Sequence, residues 1–117
     1  MSIISLFVDS SFALYGADSD VVELNPSNFN STVLESDDVW IVEFFGPNCG
    51  RCKAFASDYS KAATALKGVV KLGAFDAKAY PDLAWTYGVL GFPSLRIFGT
   101  DKESPINYQG ELTAQGQ

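Results

Sequence analysis

The feature that most constrains this chain is the run Val39-Trp40-Ile41-Val42-Glu43-Phe44-Phe45, followed at once by Gly46-Pro47-Asn48. A near-continuous apolar stretch of this length reads as a central strand covered on both faces. Gly-Pro-Asn breaks it. Behind the break, Phe55, Tyr59, Ala62, Ala63 and Leu66 recur at helical spacing. They predict a long helix from about Cys49 to Lys67, with Gly68 as a C-terminal cap. A strand buried on two faces that feeds directly into a helix demands a layered α/β arrangement.

The remaining segments fit that demand. Val21–Leu24 reads as a short strand, and Asn25-Pro26-Ser27 supplies cap chemistry for a helix to about Ser36, burying Phe29, Val33 and Leu34. Val69–Phe75 is a further strand, followed by a short helix around Asp82–Tyr87, a strand Ser94–Phe98, a polar turn Gly99–Ser104 and a last strand Pro105–Gln109. The order β-α-β-α-β-α-β-β implies a parallel core with right-handed crossovers and one antiparallel edge from the final hairpin. No internal repeat or low-complexity tract is visible. With 117 residues the chain forms one domain, long enough to fold without metals or disulfides.

Composition narrows the chemistry. Eight Lys and Arg against 14 Asp and Glu give a net charge of −6, which disfavours nucleic acid or an anionic membrane as partner. The chain has no His, so histidine catalysis and the common zinc sites are excluded. Its two cysteines sit together in Cys49-Gly50-Arg51-Cys52. A bridge across two intervening residues closes a tiny loop and stabilises little, so the spacing suits a pair that switches between thiol and disulfide.

Residues 1–13 carry the apolar run of a secretory signal peptide, with Ser11-Phe12-Ala13 offering small residues at the cleavage-determining positions. Against it stand the absence of Lys or Arg at the start and the interruption by Asp9; the competing expectation is a disordered or strand-forming N-terminus. Residues 14–117 form the folded domain on this reading. Asn30-Ser31-Thr32 is a glycosylation sequon, a weak sign of secretion. No apolar run is long enough to span a bilayer.

Cys49 is expected where the buried strand gives way to the long helix. The unpaired N–H groups and positive dipole end of a helix N-terminus stabilise a thiolate, which makes Cys49 the attacking nucleophile. Arg51 adds to this if its guanidinium approaches the sulfur. Cys52, one turn deeper on the same face, is the expected resolving thiol. Glu43 interrupts the apolar strand. Buried, its pKa would rise by desolvation and it could accept and return the Cys52 proton; on an exposed face it would be an ordinary surface charge. Phe92-Pro93 opens a strand, and the pattern alone leaves its peptide bond open between cis and trans.

Val42–Cys52 resembles the active-site segment of the protein disulfide isomerase family, and Gly91-Phe92-Pro93-Ser94 resembles the cis-proline loop of the thioredoxin fold. Asn25–Asn30, Lys61–Lys67 and Tyr108-Gln109-Gly110 are similar to the first catalytic domain of that family's A-six branch. The resemblance covers about Asp20 to Gly110. It implies a thioredoxin fold, a central mixed sheet flanked by helices. It implies thiol–disulfide exchange on unfolded or misfolded cysteine-containing proteins in the endoplasmic reticulum lumen, or after secretion, with no metal or organic cofactor. Glutathione or an oxidase would serve as redox partner. By the same resemblance Cys49 is the nucleophile, Cys52 the resolving cysteine, Glu43 the buried acid and Pro93 the cis-proline, with Asn48, Gly50, Phe92 and Pro93 at the substrate side.

The chain departs from the family pattern in four places. Asn48 stands where the family has Trp, removing an apolar platform beside the sulfur. Arg51 replaces the family's His; it keeps its proton near neutral pH, so it holds the thiolate stabilised and makes the disulfide more oxidising. Leu112 stands where an Arg is thought to ease reoxidation of the resolving thiol. The chain stops at Gln117, where the family's last helix would begin, so a C-terminally incomplete domain is expected, with apolar surface exposed near Val70 and Leu72. Two other functions compete with the isomerase reading: a thioredoxin-like reductant, and a weakly catalytic, chaperone-like module that binds unfolded chains.

Overall fold

The computed structural model describes residues 14–108. The signal-peptide expectation for residues 1–13, and the expectations for Gln109, Gly110, Leu112 and the C-terminal end, lie outside them. The described elements are β1 (Val22–Leu24), α1 (Asn30–Leu34), β2 (Trp40–Phe45), α2 (Gly50–Ala65), β3 (Lys71–Asp76), α3 (Pro81–Thr86), β4 (Ser94–Phe98) and β5 (Ile106–Tyr108). They form one five-stranded sheet in the order β1-β3-β2-β4-β5.

All six residues of β2 are buried, as a strand covered on both faces requires. Successive side chains alternate between two cores. Trp40, Val42 and Phe44 join Leu24, Phe29, Val33, Phe75, Ala84 and Phe98 under α1 and α3. Ile41 and Phe45 join Cys52, Tyr59, Ala62, Ala63, Leu72 and Leu95 under α2. Glu43 shares the parity of Ile41 and Phe45, so it points to the α2 side. Each fully buried aromatic contributes about 2–3 kcal/mol.

The sheet is mixed, but not as the element order suggests. β1, β3 and β2 run parallel, with Val42 opposite Gly73 and Glu43 opposite Ala74. β4 runs antiparallel to β2, with Glu43 opposite Leu95, and β5 runs antiparallel to β4. The β3–α3–β4 unit is therefore no parallel crossover. A parallel return must carry the chain back along the whole strand, about 20 Å for six residues. α3 has six residues, about 9 Å of helix. The chain instead re-enters the sheet from the end at which β3 leaves it.

α1 is shorter than expected. Asn25 Oδ1 accepts from Ser27 N (2.9 Å) and Asn28 N (3.1 Å), as the cap chemistry predicts. The helix proper is one wide turn closed by Glu35 N donating to Asn30 O at 2.9 Å. The β-branched pair Thr32-Val33 disfavours further propagation. Leu72 is 1 % exposed, correcting the expectation that it faces solvent: it lies beneath α2 beside Tyr59, Ala62 and Ala63. Val70 is half-buried, whereas Val69 is 74 % exposed.

Candidate active site

The site begins where β2 ends. Cys49 N donates to Gly46 O at 3.1 Å, closing a four-residue turn with Pro47 at its second position, where a fixed φ is favourable. Gly46 leaves room there. A Cβ would stand 3.1 Å from Phe92 Cδ2, so the absence of a side chain lets the ring of Phe92 lie against the turn.

Cys49 is the N-cap of α2, with extended backbone at φ −78° and ψ 116°. Its sulfur accepts from Cys52 N at 3.0 Å, taking the place that a Ser or Asp oxygen usually holds at a cap. Anionic sulfur is stabilised by that donor and by the dipole of the 16-residue helix. Cys49 is half-buried and Cys52 fully buried, and both are free thiols. Burial is the main cause that pushes the Cys52 thiol up to about 12; the hydrogen bond to Cys49 and the nearby charge of Glu43 add to it.

Glu43 is completely buried. Tyr15 donates its hydroxyl proton to Glu43 Oε1. Oε2 is buried with no hydrogen-bond partner among the described residues. Desolvation raises the Glu43 pKa to about 7, although the Tyr15 bond pulls it down. Tyr59, on α2, donates to Gly73 O at 2.8 Å and lies 3.0 Å from Ile41 O, tying the helix to both β2 and β3.

The Phe92–Pro93 peptide bond is cis. Phe92 reaches both cores, and Pro93 lies with Arg51, Phe55, Leu90 and Ser94 along a cleft of about 490 Å³. The structure thus joins Cys49, Cys52 and Glu43 at one end of β2, with Phe92 against the Gly46 turn and Arg51 and Pro93 on the adjoining cleft. Asn48, Gly50 and Arg51 are exposed. A Cβ at Gly50 would meet nothing within 4 Å. Asn30 is exposed on α1, across the sheet from α2.

Two residues escaped the sequence reading. Tyr15 lies outside any patterned element, and no signal in the sequence links it to Glu43. Arg96 is 8 % exposed and donates to Tyr87 O (3.1 Å), Gly88 O (3.1 Å), Leu95 O (3.2 Å) and Asn107 Oδ1 (2.9 Å). It thereby fastens the segment leading to Pro93 onto β4. It lies in phase with Phe98 along β4, but that alternation alone does not show that both faces of the strand are covered. Among the described residues no helix is long and apolar enough to cross a membrane.

The sequence pattern of the Thioredoxin family matches residues 20–116. The chain is 50% identical over 111 residues to the protein disulfide-isomerase A6 homolog of Caenorhabditis elegans, spanning 95% of this chain and 25% of that protein. To protein disulfide-isomerase A6 of Homo sapiens it is 51% identical over 102 residues, 87% of this chain and 23% of that one. The chain therefore spans about a quarter of the length of these curated relatives. Among solved structures, the Trx4 domain of ERdj5 superposes with a TM-score of 0.71 at 30% identity, covering 83% of this chain and 88% of that domain. The first thioredoxin domain of mouse protein disulfide-isomerase A4 gives a TM-score of 0.70 at 30% identity, covering 87% of this chain and 78% of that one.

Proposed function

The chain belongs to the thioredoxin family and is about half identical to protein disulfide-isomerase A6 proteins, and from that premise we propose that it forms and rearranges disulfides in secretory-pathway proteins through Cys49 and Cys52. The observation that carries this reading is the pairing of a half-buried Cys49 sulfur at the α2 N-cap, which accepts from the Cys52 backbone N–H at 3.0 Å, with the fully buried Cys52 thiol on the same helix. One sulfur can meet a substrate; the other can meet only the first.

In the reducing direction the Cys49 thiolate attacks one sulfur of a substrate disulfide. That S–S bond breaks, one substrate sulfur leaves as thiolate, and the other remains joined to Cys49. Cys52 then gives its proton to Glu43 and attacks the Cys49 sulfur. The mixed disulfide breaks, the Cys49–Cys52 bond forms, and the second substrate sulfur leaves as thiolate. Two electrons have passed to the substrate. Run backwards, the same steps oxidise a substrate dithiol and give Cys52 its proton back from Glu43. Isomerisation ends at the mixed disulfide, when a second substrate thiolate displaces Cys49. A thiol held near 12 needs a base, and a carboxyl near 7 is close to half-ionised at neutral pH, which suits it to take and return that proton.

The clients on this reading are unfolded or misfolded cysteine-containing proteins, met as extended segments beside Asn48, Gly50, Phe92 and Pro93. The compartment is the endoplasmic reticulum lumen or the secreted space, reached by a signal peptide in residues 1–13. Glutathione or an oxidase reoxidises the pair. The test is refolding of a reduced, disulfide-containing protein by the full chain and by Cys49→Ser. Loss of assisted refolding is expected in the variant; survival would leave a binding module instead. Equilibration in glutathione buffers should give a reduction potential of roughly −180 mV or higher, whereas a value near about −270 mV would indicate a thioredoxin-like reductant.

A further inference from the structure

We infer that Tyr15 is a positioning residue for the proton transfer, holding one oxygen of Glu43 so that the other exchanges the proton with Cys52. This rests on the exchange chemistry proposed above. A hydroxyl has a single proton to give, and Tyr15 gives it to Oε1. With that bond kept when Glu43 is protonated, Oε1 remains the accepting oxygen and the acid proton sits on Oε2. Oε2 is the buried carboxyl oxygen left without a partner among the described residues. A buried unpaired polar atom is costly in a folded protein and calls for an explanation. Here it keeps one oxygen free to work.

The surroundings leave few other candidates. From α2, Tyr59 and Cys52 face Glu43, with Cys49 at the helix cap beyond them. The Tyr59 hydroxyl is committed to the Gly73 and Ile41 carbonyls. The neighbours of Glu43 across β3 and β4 are Ala74 and Leu95, which do not titrate. From the N-terminal segment comes Tyr15 itself, its ring 5.9 Å from that of Tyr59. In the transfer, the Cys52 S–H bond breaks, its electron pair stays on sulfur, and an Oε2–H bond forms. Tyr15 keeps its proton throughout and fixes which oxygen takes part. Its bond also favours the carboxylate over the acid, so it lowers the pH at which Glu43, raised by burial, becomes a base.

The test uses the full-length reduced chain and Tyr15→Phe, which keeps the ring. Each is mixed with oxidised glutathione from pH 5 to 9, and acid-quenched samples are resolved by mass into reduced, glutathionylated and intramolecular-disulfide forms. A charge-assisted hydrogen bond to the carboxylate corresponds to about one pH unit. In Tyr15→Phe the conversion of the glutathionylated form should therefore have its acid limb moved up by about one unit. It should run about five-fold slower at pH 7, while glutathionylation itself keeps its rate. A resolution profile superimposable on wild type overturns the inference. Glu43→Gln separates the two levels. If it abolishes the acid limb while Tyr15→Phe matches wild type, only the role of Tyr15 falls. If it too matches wild type, the proton role of Glu43 falls and the inference with it.

Discussion

Replacing Glu43 by Gln should stabilise the reduced protein relative to wild type, by an amount that grows as pH rises from 5 to about 7 and then levels off. Burial carries the Glu43 pKa from 4.5 to about 7. The folded state therefore binds this proton more tightly than the unfolded state. Stability from that proton is fully present below about pH 4.5, falls as pH rises, and is gone once pH passes about 7. At about 1.4 kcal/mol per unit, the whole interval is worth about 3 kcal/mol, most of which falls between pH 5 and 8. Gln keeps the shape and has no proton to lose. The window is unusually clean because the chain has no His. Within the site, Cys52, pushed up to about 12, and Tyr15, raised further by burial beside Glu43, both stay protonated throughout it. Urea unfolding of both proteins under reductant, at unit intervals from pH 5 to 8, measures the difference directly. The advantage of Gln over Glu should widen by about 2–3 kcal/mol across that range, most of it below pH 7. A constant difference would mean that Glu43 does not titrate inside the fold, and the base assigned to Cys52 would have to be another group.

Two further substitutions test how the frame holds the site. Gly73→Ala would place a Cβ 2.5 Å from Leu24 Cδ1 and 3.3 Å from Trp40 Cζ3, and Leu24 at 2 % exposure has no free space to retreat into. Overpacking of this kind should cost about 1–3 kcal/mol in urea unfolding, and an unchanged midpoint would refute it. Arg96→Ala removes the donors to Tyr87 O, Gly88 O, Leu95 O and Asn107 Oδ1. It should cost about 2–4 kcal/mol and speed amide exchange in residues 87–93 ahead of global unfolding; uniform exchange across the chain would show that Arg96 does not anchor that segment.

What the sequence disclosed and what it hid divide along sequence distance. The run Trp40–Phe45 was legible because a strand buried on both faces has no polar side to show, and the Gly46-Pro47 break fixed where it stops. The helix behind it was legible because Cys52, Tyr59, Ala62 and Ala63 keep one face buried, so the cysteine geometry followed from spacing alone. The direction of β4 was not legible, because it depends on how far six residues of α3 can carry the chain. Arg96 was hidden for a related reason: the alternation of β4 shows two faces, but only pairing with β2 shows that both are covered. Glu43 stood out as a polar residue in an apolar strand, and its complete burial bears out that reading. Its partner did not stand out, because Tyr15 comes from 28 residues earlier and belongs to no periodic segment. Capping a helix with a sulfur needs only neighbours in sequence. Holding a carboxyl near 7 needs a desolvated site and a donor brought from a distance, and both exist only once the sheet, α2 and the N-terminal segment have come together. On this argument the proton-transfer half of the site should disappear on unfolding before local helix structure does, since every contact that builds it is long-range.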